Sequence, residues 1–446
     1  MHPDRASGGG MAVFWRIAPY VCLALAPLAV VLATGGLAHS GAFKAAGRIS
    51  ALLAFPILLL QPTISARFHW VERPFGLDRL FLFHRTAGAT GVVLAVLHPV
   101  FLALGSGSSR LLVSLDLPWQ LMVGKAALAV LVVYALGALF HGLLRLPFQW
   151  WLRMHNAFTP VIIAGAFVHS WFIYAKFAAE VQQAVWLLLA AAGLFSWLHL
   201  TVYQRLSSRA RPWKVSDVAR LTPDVWSIRM EPPKGGGLRH LPGQFLFVTL
   251  LRGRGLPAEE HPFTIASSPC GDGAVEIAPK ELGDFTATVR ETRPGDRAAV
   301  MAPYGRFSYL LHARRSRYVM IAGGIGITPI MSMIRHMRDS GRNAEVLLLY
   351  GCRGPNDAAF EDELAALEES DAPPDLQTTV VLSRPNEGWK GERGYIDGRL
   401  LGRYVGEVGD SGFYVCGPPV MMDSVVEALR GMGVEAGRIH TERFAL

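Results

Sequence analysis

The chain has 446 residues, a formal net charge of +8 and a hydrophobic content of 51%, with a mean hydropathy of +0.30. That is too apolar for an ordinary soluble protein, and the excess lies in the first half. Four cysteines, Cys22, Cys270, Cys352 and Cys416, form no C-x-x-C, which argues against a zinc site, a cysteine-held iron–sulfur cluster or a disulfide scaffold and for a reducing compartment. The basic residues cluster beside apolar runs, where anionic lipid and topology account for them without nucleic acid.

Six apolar runs, at 14–38, 46–66, 80–105, 120–143, 151–174 and 181–203, approach or exceed the roughly 20 residues needed to cross a hydrocarbon core. The first lacks the short apolar core and small-residue cleavage site of a secretory signal, so it reads as a retained span. Arg5 and Arg16 precede it, Arg67, Arg73 and Arg79 follow the second, Arg145 and Arg153 the fourth, and Arg205, Arg209, Arg211 and Lys214 the sixth. The opposite loops, near 39–45, 106–118 and 175–180, are short and carry only Lys44, Arg48, Arg110 and Lys176. Both termini are therefore expected in the cytoplasm, in a multi-pass cell (inner) membrane protein.

The third and fifth runs each carry two histidines. His84 and His98 are fourteen positions apart, which at about 100° per residue returns almost to one face, roughly 21 Å along the axis. Gly88, Gly91 and Ala95 lie between them, leaving room for a flat macrocycle. His155 and His169 repeat the spacing. One such helix reads more readily as a buried hydrogen-bonding histidine on a packing face; two matched pairs favour four axial nitrogens holding two stacked haems. The two helices, one span apart, run the same way. His84 then pairs with His155 near the cytoplasmic face and His98 with His169 near the outer face. Two protein ligands per iron leave no open position, so these haems would carry electrons. His69, His141 and His199 have no matching counterpart and read as interfacial or hydrogen-bonded.

After the basic linker Gln204–Trp213 the texture changes to alternating residues with Gly and Pro turns, an all-β segment to about residue 312. From Arg317 it changes again to strand, glycine turn and helix. Strands at Glu345–Tyr350, Leu376–Ser383 and Gly412–Cys416 and helices at Ala358–Glu369 and Val420–Arg430 follow, the order of a doubly wound parallel sheet. Gly324-Ile-Gly326 suits a pyrophosphate, because bare glycines let main-chain N–H groups reach it at a helix start. Pro329 stands where the usual fingerprint has its last glycine.

Pro242-Gly-Gln244-Phe, His261-Pro262-Phe263-Thr264, Gly283-Asp-Phe-Thr286, Cys416-Gly417-Pro418-Pro and His440-Thr-Glu442-Arg-Phe444 together carry a family likeness. The second half resembles the ferredoxin-NADP reductases and the first half the ferric reductase transmembrane domain. Their union is similar to the NADPH oxidases and membrane ferric reductases, most of all to compact bacterial oxidases. The resemblance implies a six-helix transmembrane bundle over 1–209, a β-barrel FAD-binding domain over 210–312 and an α/β doubly wound NADPH-binding domain over 313–446.

It further implies that Phe263 and Thr264, with Gln244, His261 and Pro262, lie against the flavin, and that Gly283 and Thr286 contact its pyrophosphate. Soluble relatives usually have Arg at the His261 position. Gly323, Gly324, Gly326, Thr328 and Pro329 would line NADPH, with Cys416, Gly417 and Pro418 beside the hydride-transfer position. Phe444 would stack on the flavin, although two residues follow it here, and Glu442 joins Thr264, Cys416 and Phe444 in the catalytic set. Ser383, Arg384, Arg393 and Tyr395, assisted by Arg353, resemble a 2′-phosphate site; ordinary surface arginines are the rival reading. The implied activity is transmembrane electron transfer from cytosolic NADPH through FAD and two b-type haems, with dioxygen giving superoxide first among acceptors. Ferric or cupric chelates, a periplasmic partner and quinone are the alternatives. No Ca²⁺-loop motif or long insertion for an activator is seen.

Overall fold

The computed structural model describes residues 9–38, 40–140, 142–143, 147–174, 180–406 and 408–443. Phe444 lies outside them, as do Arg5, His141, Arg145 and Lys176. The chain divides into two compact units, Met1–Arg205 and Leu206–Leu446.

The first unit is helical. Its long helices are α1 (Gly9–Ala33), α2 (Ala42–Leu59), α3 (Leu77–Ser106), α4 (Trp119–Phe140), α5 (Phe148–Tyr174) and α6 (Glu180–Leu198). Five apolar helical stretches among the described residues are long enough to cross a membrane, namely Ala42–Ser65, Leu77–Ser106, Trp119–Phe140, Phe148–Ile173 and Glu180–Ala210. In α1 the apolar stretch found, Ile17–Ala33, is shorter. Residues such as Val93, Val133, Leu136 and Phe195 point outward, the surface expected where lipid is the solvent. The stretch Ala42–Ser65 has a break at Leu60, after which the helix restarts as Gln61–Ser65. Pro56 and Pro62 flank the break, and neither can donate to the helical ladder.

The helices pack closely through small residues. A Cβ on Gly91 would lie 2.9 Å from Leu58 Cδ2, and one on Gly193 would lie 2.4 Å from the Leu59 carbonyl oxygen. The expectation that Gly91 helps clear a face for a macrocycle is therefore corrected. Leu58 of α2 fills the space at Gly91, and Gly88 faces the Gln61 side chain 3.6 Å away. Close helix approach, the other use of small residues, takes the Gly91 position.

The second unit holds two six-stranded sheets. The first is antiparallel and contains β1 (Trp213–Thr222), β2 (Val225–Glu231), β3 (Phe245–Leu251), β4 (Glu260–Thr264), β5 (Val275–Ile277) and β6 (Arg297–Tyr304), in the order β4-β3-β6-β1-β2-β5. The chain leaving β4 turns back onto β5, where the Ala266 N–H donates to the Glu276 carbonyl at 2.8 Å. The second sheet is parallel and contains β7 (Arg317–Gly323), β8 (Glu345–Cys352), β9 (Asp375–Leu382), β10 (Glu392–Arg393), β11 (Ser411–Cys416) and β12 (Ile439–Glu442). Its order is β10-β9-β8-β7-β11-β12, so the winding reverses between β7 and β11.

Helices α7 (Ile327–Asp339), α8 (Glu361–Glu368), α9 (Gly398–Tyr404) and α10 (Pro419–Gly431) cover the parallel sheet. Period-two alternation divides its side chains between two cores. Tyr318, Met320 and Ala322 pack with Ile327, Ile330 and Ile334 of α7. Val319 and Ile321 pack with Leu400 and Leu401 of α9 and Met422 and Val425 of α10. Fully burying such an aliphatic side chain contributes roughly 1.5–3 kcal/mol, and burial on both faces explains the near-continuous apolar strands. Helix α8 begins three residues later than the sequence suggests because Phe360, with φ of 64°, sits in the left-handed region just before it.

The two sheets are tied together at Arg335 of α7. Its guanidinium reaches both Glu363 oxygens at 2.6 and 2.7 Å, Glu276 at 3.1 Å and the Ala266 carbonyl at 2.9 Å.

Candidate functional site

In the helical unit the four histidines meet two by two. The rings of His84 and His155 have centroids 6.0 Å apart, and those of His98 and His169 are 6.5 Å apart. Two metal–nitrogen bonds of about 2 Å, plus about 1 Å from each nitrogen to its ring centre, require roughly 6 Å. The pairs therefore fit one metal ion between each. Among the described residues no cluster of three or more His, Cys, Asp or Glu is present. Two imidazoles per ion is the number a porphyrin iron leaves to the protein.

Main-chain oxygens orient three of these rings. His84 Nδ1 lies 3.3 Å from the Gln61 carbonyl, His98 Nδ1 2.8 Å from that of Gly47, and His169 Nδ1 2.9 Å from that of Gln120. A carbonyl acceptor fixes the proton on Nδ1 and leaves the Nε2 lone pair for a metal. On α3 and its antiparallel neighbour the two contacts are fourteen residues apart on both strands of the pair. Gly124, one turn after Gln120, makes the third contact possible, since a Cβ there would lie 2.4 Å from His169 Nδ1. His155 differs: its Nε2 lies 2.9 Å from the Tyr134 hydroxyl, and its Nδ1 is buried without a partner. A cavity of roughly 70 Å³ opens here, lined by His84, His155, Tyr134, Gln61, Asn156 and Trp197 among others. Sequence reading missed Gly47, Gln61, Gln120, Gly124 and Tyr134. The signal available was register, because these partners repeat the histidine spacing on the neighbouring helix. His199 stacks on Phe68 at 4.6 Å and takes a 3.1 Å contact from Gln204, as an interfacial ring would.

In the second unit, Thr264 pairs in register with Phe245, Phe263 with Leu246, Pro262 with Phe247 and His261 with Val248. His261 stacks on Phe285 with centroids 4.0 Å apart and lies 3.3 Å from a Glu259 oxygen. Burial pushes its pKa down, opposed by Glu259. Phe285, absent from the expected set, is therefore what holds His261. The Thr286 hydroxyl accepts from the Gly283 N–H at 2.9 Å, which shapes the Gly283 turn. Gln244 is spoken for within the chain: its amide donates to the Gly305 carbonyl at 2.9 Å and its oxygen accepts from the Leu241 N–H at 2.8 Å.

The carboxyl ends of β7 and β11 lie at the winding reversal, the usual ligand crevice of such sheets. A Cβ on Gly326 would lie 2.3 Å from the Cys416 carbonyl oxygen, and one on Gly417 would lie 3.0 Å from Gly323 Cα. Gly324, with φ of +53°, has open space before it. Thr328 and Pro329 are buried in the first turn of α7, where the Thr328 hydroxyl donates to the Ile325 carbonyl at 3.0 Å. These features fit a bound dinucleotide: three glycines close the crevice and the fourth exposes main chain. Pro418 is exposed at its rim. Cys416 is fully buried, and burial, then Glu442, pushes its thiol well above the usual range, so it is neutral. Glu442 sits opposite Cys416 in register, and its Oε1 lies 3.8 Å from where a Gly305 Cβ would be. Gln244, Thr264, Cys416 and Glu442 thus gather where the two sheets adjoin.

Arg353, Ser383, Arg384, Arg393 and Tyr395 form a separate group past the ends of β8, β9 and β10. The Ser383 N–H donates to the Cys352 carbonyl at 3.0 Å and the Arg384 N–H to the Arg353 carbonyl at 2.6 Å. Arg353, Arg384, Arg393 and Tyr395 are exposed.

Three family models match. The ferric reductase like transmembrane component covers residues 46–166, the FAD-binding domain 211–296 and the oxidoreductase NAD-binding domain 320–427. The stachydrine N-demethylase reductase subunit Stc4 of Rhizobium meliloti is 31% identical over 254 residues, which span 55% of this chain and 70% of that protein. The propane 2-monooxygenase reductase component of Rhodococcus jostii is 29% identical, with 52% of this chain and 62% of that protein covered. Among solved structures, the FAD/NAD-binding domain of nitric oxide dioxygenase from Vibrio cholerae covers 52% of this chain and 98% of its own, at 23% identity and a TM-score of 0.47.

Proposed function

We propose that this chain, an oxidoreductase that belongs to the NADPH oxidase/ferric reductase superfamily, carries electrons from NADPH in the cytosol through FAD and two b-type haems to an acceptor beyond the membrane. The observation that carries this reading is the two facing imidazole pairs, 6.0 and 6.5 Å apart, in a helical unit joined to a flavin and nicotinamide reductase. The helical unit is read as six spans in a cell (inner) membrane with both termini inside, and the antiparallel sheet as a closed barrel.

When bound, FAD takes a hydride from the nicotinamide, and haem iron takes electrons one at a time. The chain supplies position. His84 and His155 would hold the inner haem, and His98 and His169 the outer one. Each haem would be held by two imidazoles of the chain, so the chain would keep no iron position for direct binding of an acceptor. Gly324 lets main-chain N–H groups approach the NADPH pyrophosphate, and the glycines packed against Cys416 bring the nicotinamide close to the sheet junction. The neutral Cys416 thiol and the Glu442 carboxylate flank that junction. Thr264 and Phe263 would face the flavin, with Phe444 covering it. Arg353, Arg384 and Arg393, with Ser383 and Tyr395, would read the 2′-phosphate, for which guanidinium offers bidentate geometry.

Dioxygen, leaving as superoxide, is the proposed acceptor, since the segment after α3 holds only the four-residue helix Arg110–Val113 and leaves access open. Reduction of ferric or cupric chelates is the second reading, supported by the ferric reductase match. Purified, haem-loaded protein should contain two b-type haems per chain, be reduced by NADPH without air and be reoxidised by it, with dismutase-sensitive dye reduction. Rapid ferric-chelate reduction with negligible superoxide would select the second reading. A colourless preparation would rule out both.

A further inference from the structure

Just past the end of β3 the chain buries an arginine. Arg252 is 4% exposed, and its guanidinium donates to the Thr288 carbonyl, to the Thr288 hydroxyl at 2.8 Å and to the Pro257 carbonyl at 3.2 Å. All three acceptors are neutral. Its Nε is buried with no hydrogen-bond partner among the described residues. Neighbouring cations are matched differently: Arg254 holds both Asp296 oxygens at 2.8 and 2.9 Å, and Arg290 holds Glu281. Glu291 and Asp296 act on Arg252 only through space.

A guanidinium stays charged when buried, and a buried charge with no carboxylate in contact is costly. Tying two loops together needs no charge, since a neutral amide could donate to the same oxygens. What arginine adds is a positive field, and the hydrogen-bond chain shows where it is delivered. The Thr288 hydroxyl gives its proton to the Phe285 carbonyl at 2.7 Å, so its oxygen accepts from Arg252. The guanidinium carbon also lies over the Phe285 ring, 5.5 Å from its centre, and that ring is buried. Phe285 stands inside the Gly283–Thr286 turn. Asp284, exposed in the same turn, would repel an anion there, and the buried cation offsets it.

We propose that Arg252 is a positioning residue of this turn, a buried cation that holds Phe285 and Thr288 in place and fits the turn to a diphosphate. The ligand it favours is a flavin carrying a pyrophosphate over the bare, uncharged flavin. This inference rests on the FAD reading above. Arg252 touches neither flavin ring nor nicotinamide in this scheme; it acts through the residues it holds and through its charge.

The test measures the dissociation constants of FAD and of riboflavin for the full-length chain freed of flavin. Arg252→Gln removes the charge and keeps an amide donor for Thr288. It is expected to weaken FAD by about tenfold, the size of one hydrogen-bonded charge interaction, and to leave riboflavin unchanged. Arg252→Lys, which keeps the charge, should retain the wild-type ratio of the two constants. Should the glutamine variant not fold, Arg252→Met, which keeps an apolar stem against Phe285, takes its place with the same expectation. Unchanged FAD affinity in the neutral variant overturns the proposal. Equal weakening of FAD and riboflavin would reduce Arg252 to a structural tie, and a lysine variant as poor as the neutral one would remove the role of charge; either result also overturns it. A wild-type chain that binds no FAD would instead sink the flavin reading, which separates the two failures.

Discussion

A methyl group at Gly124 would sit 2.4 Å from His169 Nδ1, whereas one at Gly137 on the same helix meets nothing within 4 Å. Gly124→Ala should therefore displace His169 and lower the haem content from two to one per chain, with Gly137→Ala unaffected. Pyridine haemochromogen titration decides it, and two retained haems in Gly124→Ala would refute the outer-site assignment. Arg384 supplies a second residue-level test. Hydrogen bonds to charged groups are worth about 1.5–3 kcal/mol, roughly ten- to a hundredfold in affinity, so Arg384→Ser should raise KM for NADPH by that factor. KM for NADH should not move, and an equal rise for both cofactors would show that Arg384 does not read the 2′-phosphate. The histidines themselves were legible because a fourteen-residue spacing on an apolar helix is rare chemistry in plain view. Gly91 was misread because a glycine that admits Leu58 and a glycine that admits a macrocycle look alike in one dimension. Phe285 was overlooked inside its own motif, since nothing in Gly-Asp-Phe-Thr says that the aromatic ring stacks on His261.

Strands and helices of the parallel sheet were readable from period and composition because both faces of that sheet are buried. The short β12 was not, since its four residues carry two charges or potential charges and gain their place only by pairing with β11. One consequence of that pairing can be measured. His440 on β12 stacks on His312 with centroids 3.5 Å apart. Burial holds both rings down to about 4, helped by Arg306 at His312 and by His312 and Arg315 at His440. Their folded values lie below the unfolded value near 6.5, so on acidification the unfolded chain takes up protons first. This contribution to stability is intact above pH 6.5 and declines as pH falls to about 4. The urea midpoint of the full-length protein should drop between pH 7 and pH 5, and His440→Phe, which keeps a stacking ring, should flatten that drop. An unchanged pH slope in His440→Phe would exclude the pair as its source.

On the scale of the whole molecule, the sequence announced its two halves through texture alone, apolar runs giving way to alternation and then to strand and helix. The chemistry of the second half came from its motifs, which sit at the junction of the two sheets and past the ends of β8, β9 and β10. The charge asymmetry of the loops makes a directional prediction. In inverted membrane vesicles, added NADPH should be oxidised while an impermeant acceptor is reduced only when trapped inside; in right-side-out vesicles added NADPH should be inert. Reduction of the acceptor on the same face as NADPH would mean that no electron crosses the bilayer.

Three of the four histidine tethers end on the carbonyls of Gln61, Gly47 and Gln120. A codon change can erase any side chain, but every amino acid brings the same peptide oxygen. Gln61 and Gln120 are thus free to drift in identity without untying the ring each one restrains, and distant descendants of this chain should keep the grip after its spelling has vanished. Tyr134 alone has no such immunity.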